Sequence, residues 1–301
     1  MENATKEEQA TVKHRDLHQH VTDTIIRQLE TGVAPWQKPW QGDEPCLSLP
    51  YNFTTGNKYQ GINILLLWTT ASNKNFQSAE WASFKQWQDK REGIRKGEKG
   101  TLIVFYDTFE KEEDGEIKKI PFLKSSVVFN RCQLASYIPK QSVPIAERQT
   151  WERVNAMEEF VQNTKAVIKE HDGGAMYIKA DDHILMPKAE YFIETYTVSP
   201  YQGYYTTLMH ELTHWTGHPA RLNRQFGKRF GDKIYAAEEL LAELGAAFLC
   251  ADLALPIFET GHNANYIANW LTALRNDKHF IFAAASEASK AAGYLHSLQP
   301  K

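Results

Sequence analysis

His210 and His214 lie four residues apart with Glu211 between them, in the run YYTTLMHELTHWTGH over residues 204–218. On a helix, side chains at i and i+4 share a face, so both imidazoles can reach one cation. Glu211 points to nearly the same side, where a carboxylate can take a proton from an activated water. This is the mechanical content of H-E-x-x-H, and the reaction it serves is metal-assisted hydrolysis.

A catalytic metal of this kind needs a third protein ligand and an open position. An extended H-E-x-x-H-x-x-G-x-x-H motif is excluded, because Gly217 fits but Ala220 stands where its last histidine belongs. His218 lies between Gly217 and Pro219, which end a helix before a further turn can form. The remaining source is a following helix, EELLAELGAAFL over residues 238–249. Glu239 and Glu243 fall on one face of it, next to apolar and small residues, and buried carboxylates there need a cation. Glu239 is therefore the expected third ligand and Glu243 the partner of a ligand imidazole. Glu238, one residue away, is the alternative ligand. Zinc is the default ion for two histidines and a glutamate, and Mn2+ or Co2+ fits the same donors. Glu211 is the expected general base of amide hydrolysis.

These residues must be held by a particular order of elements. Apolar spacing predicts a helix over residues 5–30, ended by Gly32, and a buried helix or strand over 59–68. Residues 78–90 read as a helix opened by Ser78, with Trp68, Trp81 and Phe84 in the core. TLIVFYDTF and SSVVFN read as strands joined by the polar KEEDGEIKK. PKQSVPIAERQ over 139–149 is the best linker. Beyond it come a helix over 149–170, a hairpin over 176–187 and the motif helix over 204–215. A helix over 235–253 and two more, near 262–275 and 277–292, follow. The hairpin could offer an edge strand to an extended peptide. The expected architecture is α+β in two domains: 1–140, a linker at 141–150, and 151–301.

Composition sets the class. The 301 residues are 42% hydrophobic and 24% charged, as in soluble globular proteins. No apolar run approaches the ~20 residues needed to cross a bilayer, so no membrane role is expected. The stretch MENATKEEQATVKHRD lacks the apolar core of a secretory signal. Cys46, Cys132 and Cys250 form no framework spacing, which fits reduced thiols and a cytoplasmic location.

The net charge of −3 gives no global nucleic-acid signal, but Lys58 to Lys99 holds eight basic residues against four acidic ones. Aromatics interleave with these bases and with the Pro/Trp-rich segment before them. Bases of a single strand stack on aromatic rings while Lys and Arg follow phosphates. Trp36, Lys38, Trp40, Lys58, Tyr59, Lys85, Arg95, Lys96 and Lys99 are the candidate contacts, with Gly97 and Gly100 letting the backbone approach a phosphate.

Several stretches together resemble the ArdC-type antirestriction proteins of conjugative plasmids: Trp36-x-Lys38-Pro39-Trp40, Tyr51-Asn52, Thr55-Gly56, Tyr59-x-Gly61-Ile62-Asn63, Trp81-x-x-Phe84-Lys85, Arg95 to Gly100, Val128-Phe129-Asn130, Ile184-x-Met186-Pro187, HELTHWTGH through Arg221-Leu222, and EELLAELGAAFL. The resemblance implies an N-terminal single-stranded-DNA-binding domain and a C-terminal zincin-like metallopeptidase domain. It implies protection of incoming plasmid DNA from host restriction during conjugation. The expected partners are single-stranded DNA and an unidentified protein substrate, a restriction-system component among the options. An alternative is a single-strand-binding protein whose metal domain is structural or non-proteolytic.

Overall fold

The computed structural model describes residues 16–31, 34, 36, 48–113, 116–139, 148–193, 199–225, 233–255 and 263–300. Helix α1 (Leu17–Leu29) is capped by Asp16, whose side chain accepts from the Gln19 N–H; residues 5–15 and Gly32 of the expected helix and its stop lie outside the described residues. Strand β1 (Tyr51–Asn52) and helix α2 (Ile62–Lys74) follow, so the apolar run at 59–68 is mainly helical. Asn75, in the left-handed conformation at φ 52°, ends α2.

The expected helix over 78–90 is replaced by strand β2 (Glu80–Ala82) and helix α3 (Phe84–Asp89). Ser83, not Ser78, is the N-cap, in a reciprocal capping box with Gln86. Tertiary pairing decides this segment, because β2 lies between β1 and β4 and buries Trp81. Phe84, expected in the core, is 58% exposed.

Strands β3 (Thr101–Glu113) and β4 (Glu116–Asn130) form a long antiparallel hairpin, pairing as far as Glu113 and Glu116. Pairing thus extends into the charged stretch expected to be a connection, since a ladder needs only its backbone hydrogen bonds to continue. The first sheet has the order β1-β2-β4-β3. Its β3 edge is met by Asn63 on α2, whose amide donates to the Val104 carbonyl at 2.7 Å and accepts the Val104 N–H at 2.8 Å.

Helix α4 (Arg148–Thr164) ends earlier than expected, and residues 140–147 of the proposed linker are outside the described residues. Lys165, at φ 57°, turns the chain into strand β5 (Val167–His171), which pairs in parallel with β7. The second sheet, order β5-β7-β6, contains the expected hairpin as β6 (Met176–Ile178) and β7 (His183–Pro187). Helices α5 (Pro200–Trp215), α6 (Lys233–Asp252), α7 (Asn263–Asn276) and α8 (Phe280–Ser297) complete the chain. Among the described residues no helix is long and apolar enough to cross a membrane.

The largest core cluster draws on both halves of the sequence. Val21, Ile25 and Leu29 of α1 and Leu65 and Trp68 of α2 belong to the same cluster as Phe248, Trp270 and Ile281. Trp36 lies 6.0 Å from Trp270, and Trp68 meets the edge of Phe248 at 5.8 Å. Polar bonds follow the same seam: Thr22 donates to the Lys278 carbonyl and the Gly61 N–H to Ser289 Oγ, each at 2.8 Å. Asp252, at the end of α6, pairs with Lys58 and with His296 Nε2 at 2.8 Å.

Burial pushes the Asp252 carboxyl up, but bonding to His296 and Lys58 outweighs it and holds it below the ordinary value of 3.8. A carboxyl depressed on folding adds stability above its unfolded pKa and loses it as pH falls through its folded pKa. The melting temperature of Asp252→Asn should therefore fall below that of the parent at pH 6, with the gap closing on acidification below about pH 3.8. Thermal unfolding of both proteins across that range checks it.

Candidate metal centre

The motif helix begins four residues before the expected 204, because a capping box at Ser199 starts it there. Ser199 accepts from the Gln202 N–H, Gln202 bonds back to the Ser199 N–H, and Pro200 occupies the first turn. Met209 and Leu212 are fully buried, which fixes the rotation of α5 and turns His210, Glu211 and His214 toward α6. Gly245 sets how closely α6 approaches. A Cβ there would lie 2.5 Å from Thr213 Cγ2, and the Thr213 hydroxyl is already bonded to the Met209 carbonyl at 2.8 Å.

Across this close contact the donor atoms converge. The Nε2 atoms of His210 and His214 are 3.1 Å apart. Glu239 places one carboxylate oxygen 3.7 Å from His210 Nε2 and the other 3.6 Å from His214 Nε2. Tetrahedral ligands about 2.0 Å from a zinc-sized ion are separated by roughly 3.3 Å, so the observed spacings fit one cation. Of the described residues, these three are the ones whose donor atoms gather in this way.

Proton placement supports the same reading. Glu238 lies 3.2 Å from His214 Nδ1. Burial pushes the Glu238 carboxyl up, but His214 and Arg224 outweigh it and hold it below its ordinary range, so the carboxylate accepts and Nδ1 carries the proton. His214 Nε2 is then the ring nitrogen turned toward His210 and Glu239. His210 Nδ1 faces Glu243 at 3.6 Å. Burial pushes the His210 imidazole down, but Glu239, Glu243 and Glu211 together outweigh it and raise its pKa to about 9. The surrounding carboxyl groups demand positive charge at this point, and a divalent cation satisfies that demand more fully than one proton.

Glu238, the alternative ligand, has another task. Arg224 grips it with two bonds, NH2 to Oε1 at 2.9 Å and Nε to Oε2 at 3.2 Å. The same guanidinium donates to Thr216 Oγ1 at 2.7 Å and to the Thr213 carbonyl at 2.6 Å, closing the C-terminal end of α5. Glu238 thereby orients His214, and Glu239 faces the centre. Sequence reading overlooked Arg224; the signal was a glutamate pair too rich in charge for one metal. It also overlooked Tyr235, one turn before Glu239, whose hydroxyl lies 3.4 Å from that of Tyr266 beside the same carboxylate.

The second sheet is tied to the end of α5. Arg221 donates to the Trp215 carbonyl at 2.6 Å, lies 3.7 Å over the Trp215 ring, and pairs with Asp182 in the β6–β7 turn. That places β6 against the metal helix, hydrogen-bonded on one side within its sheet.

The candidate DNA contacts scatter. Trp36 is 1% exposed and offers no face to a base. Tyr59 is half-buried against two core clusters, and Lys58 is paired with Asp252. The Arg95 guanidinium donates to the Leu134 carbonyl at 2.9 Å, the Cys132 carbonyl at 2.7 Å and Glu98 at 2.8 Å, so it staples its loop. Lys85, Lys96 and Lys99 are exposed; Lys38 and Trp40 are outside the described residues. Gly97, at φ 88°, has open space around it, whereas a Cβ at Gly100 would meet Val127 Cγ1 at 2.2 Å, so Gly100 serves packing. The exposed ring that sequence reading assigned to the core, Phe84, stands beside Lys85 and 6.3 Å from Phe129.

The arrangement of α5 and α6 defines a zincin-like metal centre. Comparison agrees: residues 155–287 match the family model of zincin-like metallopeptidases, and residues 15–129 match the N-terminal domain of the anti-restriction factor ArdC. Crystal structures of the antirestriction ArdC protein from plasmid R388 are 40% identical and superpose over 94% of this chain. The metal-free form gives a TM-score of 0.75 with 97% of that protein covered, and the Mn(II)-bound form gives 0.72 with 98% covered. The protein y4eC of Sinorhizobium fredii is 34% identical over 94% of this chain and 92% of its own length. Two DNA primases TraC of Escherichia coli are 32% identical, and this chain spans 20% and 28% of their lengths. The chain belongs to the ArdC antirestriction family, with an ArdC N-terminal domain and a zincin-like domain of the divalent-metal kind.

Two predictions follow from the contact between α5 and α6. Glu239→Ala should abolish measurable Mn2+ or Zn2+ binding in calorimetry, while Glu243→Gln should weaken it by roughly 10–100-fold. Gly245→Val should cost on the order of 2 kcal/mol in urea unfolding, by forcing the two helices apart.

Proposed function

We propose that this protein is an antirestriction factor that binds single-stranded DNA through its N-terminal part and hydrolyses a protein substrate at the metal centre. The parts are residues 1–140, a connection at 141–150, and residues 151–301. His210, His214 and Glu239 hold the ion, zinc by default for this donor set, with Mn2+ also suited to it. When bound, the ion lowers the pKa of water and polarises a carbonyl.

The observation that carries the reading is the buried convergence of His210, His214 and Glu239, with Glu211 between the two histidines on the same helix. Glu211 is 6% exposed and close enough to His210 to act on its charge. In the proposed reaction Glu211 takes a proton as water adds to the scissile carbonyl carbon. It returns that proton to the amide nitrogen as the carbon–nitrogen bond breaks, leaving a carboxylic acid and an amine. Glu238 and Glu243 hold the imidazoles in place, and Arg224 keeps Glu238 fixed. The free side of β6 offers a ladder to an extended peptide, which would bring its backbone alongside α5.

For DNA, the exposed Phe84, Lys85, Lys96 and Lys99 combine a stacking face with mobile cations, the mixture that holds a single strand without reading its sequence.

Glu211→Gln separates hydrolysis from binding. It should retain metal and single-strand affinity while losing at least about 100-fold in peptide cleavage and in protection of conjugating DNA. Undiminished protection would show that hydrolysis is not the means of antirestriction. In the same assay, the Lys85→Ala/Lys96→Ala double variant should bind oligonucleotides more weakly and with a shallower salt dependence.

A further inference from the structure

Away from the metal centre, α1, α2 and β3 enclose a cavity of about 350 Å³, lined by His20, Val21, Thr24, Leu66, Thr70, Lys74, Lys99, Gly100, Thr101 and Leu102. Its chemistry is divided. Val21 and Leu66 are buried and, with Leu102, give an apolar wall. Lys74 and Lys99 are exposed lining residues; Lys74 Nζ lies 5.8 Å from the centre of the Phe76 ring, and its charge acts on Glu98 without a close ion pair. The nearby Glu98 carboxylate is engaged instead by Gln133 at 2.9 Å and Arg95 at 2.8 Å.

The remaining lining is hydroxyl-rich. Thr24 and Thr70 donate to carbonyls of their own helices; Thr24 Oγ1 already accepts from Arg27 at 3.2 Å, and Thr70 Oγ1 keeps its capacity to accept. Thr101 is 8% exposed, and its Oγ1 is buried with no hydrogen-bond partner among the described residues. An orphaned buried hydroxyl is costly unless something completes it. A ligand suited to this lining carries a flat, largely apolar body with hydrogen-bonding edges and one strong anion. Gly100, just before β3, carries no side chain because a Cβ there would strike Val127 and Phe129 of β4.

We propose that this cavity is a mononucleotide site, with the base against Val21, Leu66 and Leu102 and the phosphate between Lys74 and Lys99. The nucleotide can be free or can belong to a strand, the shared chemistry being one base and one phosphate. The site does not depend on peptide hydrolysis, and it adds a defined pocket to the exposed strand-binding surface proposed above.

The test is calorimetric titration of the full-length protein with dTMP, inorganic phosphate and a 5′-phosphorylated oligothymidine. Expected is dTMP binding that is at least 10-fold tighter than phosphate. Lys74→Glu or Lys99→Glu should weaken it at least 10-fold, and Thr101→Val by a smaller factor. Both lysines are exposed, so their replacement leaves the fold intact. Displacement of dTMP by the oligonucleotide would support the site and assign it to a strand; dTMP binding untouched by the oligonucleotide would support it as a site for free nucleotide. No dTMP binding at millimolar concentration would overturn the proposal, as would equal affinity for phosphate or indifference to both lysine variants. Oligothymidine binding without dTMP binding would overturn the pocket while leaving the single-strand reading intact.

Discussion

The zincin-like half is organised by an excess of negative charge buried between two helices. Glu211, Glu238, Glu239 and Glu243 are packed around two imidazoles, and one guanidinium, Arg224, reaches into the group. Arg224 and His214 Nδ1 share the Glu238 carboxylate, which leaves Glu239 as the glutamate beside both Nε2 atoms. What is left is a set of donors whose mutual repulsion is relieved by positive charge among them, a demand already visible in the raised pKa of His210. The approach of α6 to α5 across Gly245 thus concentrates negative charge around the two imidazoles, a setting that suits a divalent cation.

The second constraint is the shared core. Helix α1 packs on α7 and α2 on α8, so the sheet of the ArdC-type N-terminal part and the metal helices rest on common apolar side chains. Lys58 and His296 converge on Asp252 at the end of the helix that supplies Glu239. The two parts of the sequence are thus joined through packed side chains.

Much of the site was legible because it is local. The four-residue spacing of His210 and His214 and the glycine and proline flanking His218 act within a turn or two of helix, whereas the Ser199 and Gln202 capping box lies ahead of the expected helix start at 204. The failures share a cause of the opposite kind. Trp36 and Arg95 were taken for nucleic-acid contacts because aromatic and basic side chains suit that task. Trp36 instead fills a gap against Trp270, and Arg95 satisfies carbonyls of a loop some forty residues distant in sequence. Phe84 erred in the other direction, since the turn between β2 and α3 rolls it outward after Trp81 has gone in.

The sequence by itself determined the elements whose hydrogen bonds and periodicity close within a few residues, and it singled out the histidines and glutamates that the structure gathers between α5 and α6. Only the tertiary structure decided which glutamate serves which purpose. Successive residues of α6 differ by about 100° around its axis, so Glu238 and Glu239 are equivalent candidates until the helix is seated. The buried faces of Leu240, Leu241 and Leu244 seat it, and Arg224 arrives from a separate segment to claim one carboxylate. That choice depends on packing between distant parts of the chain, which no local pattern encodes.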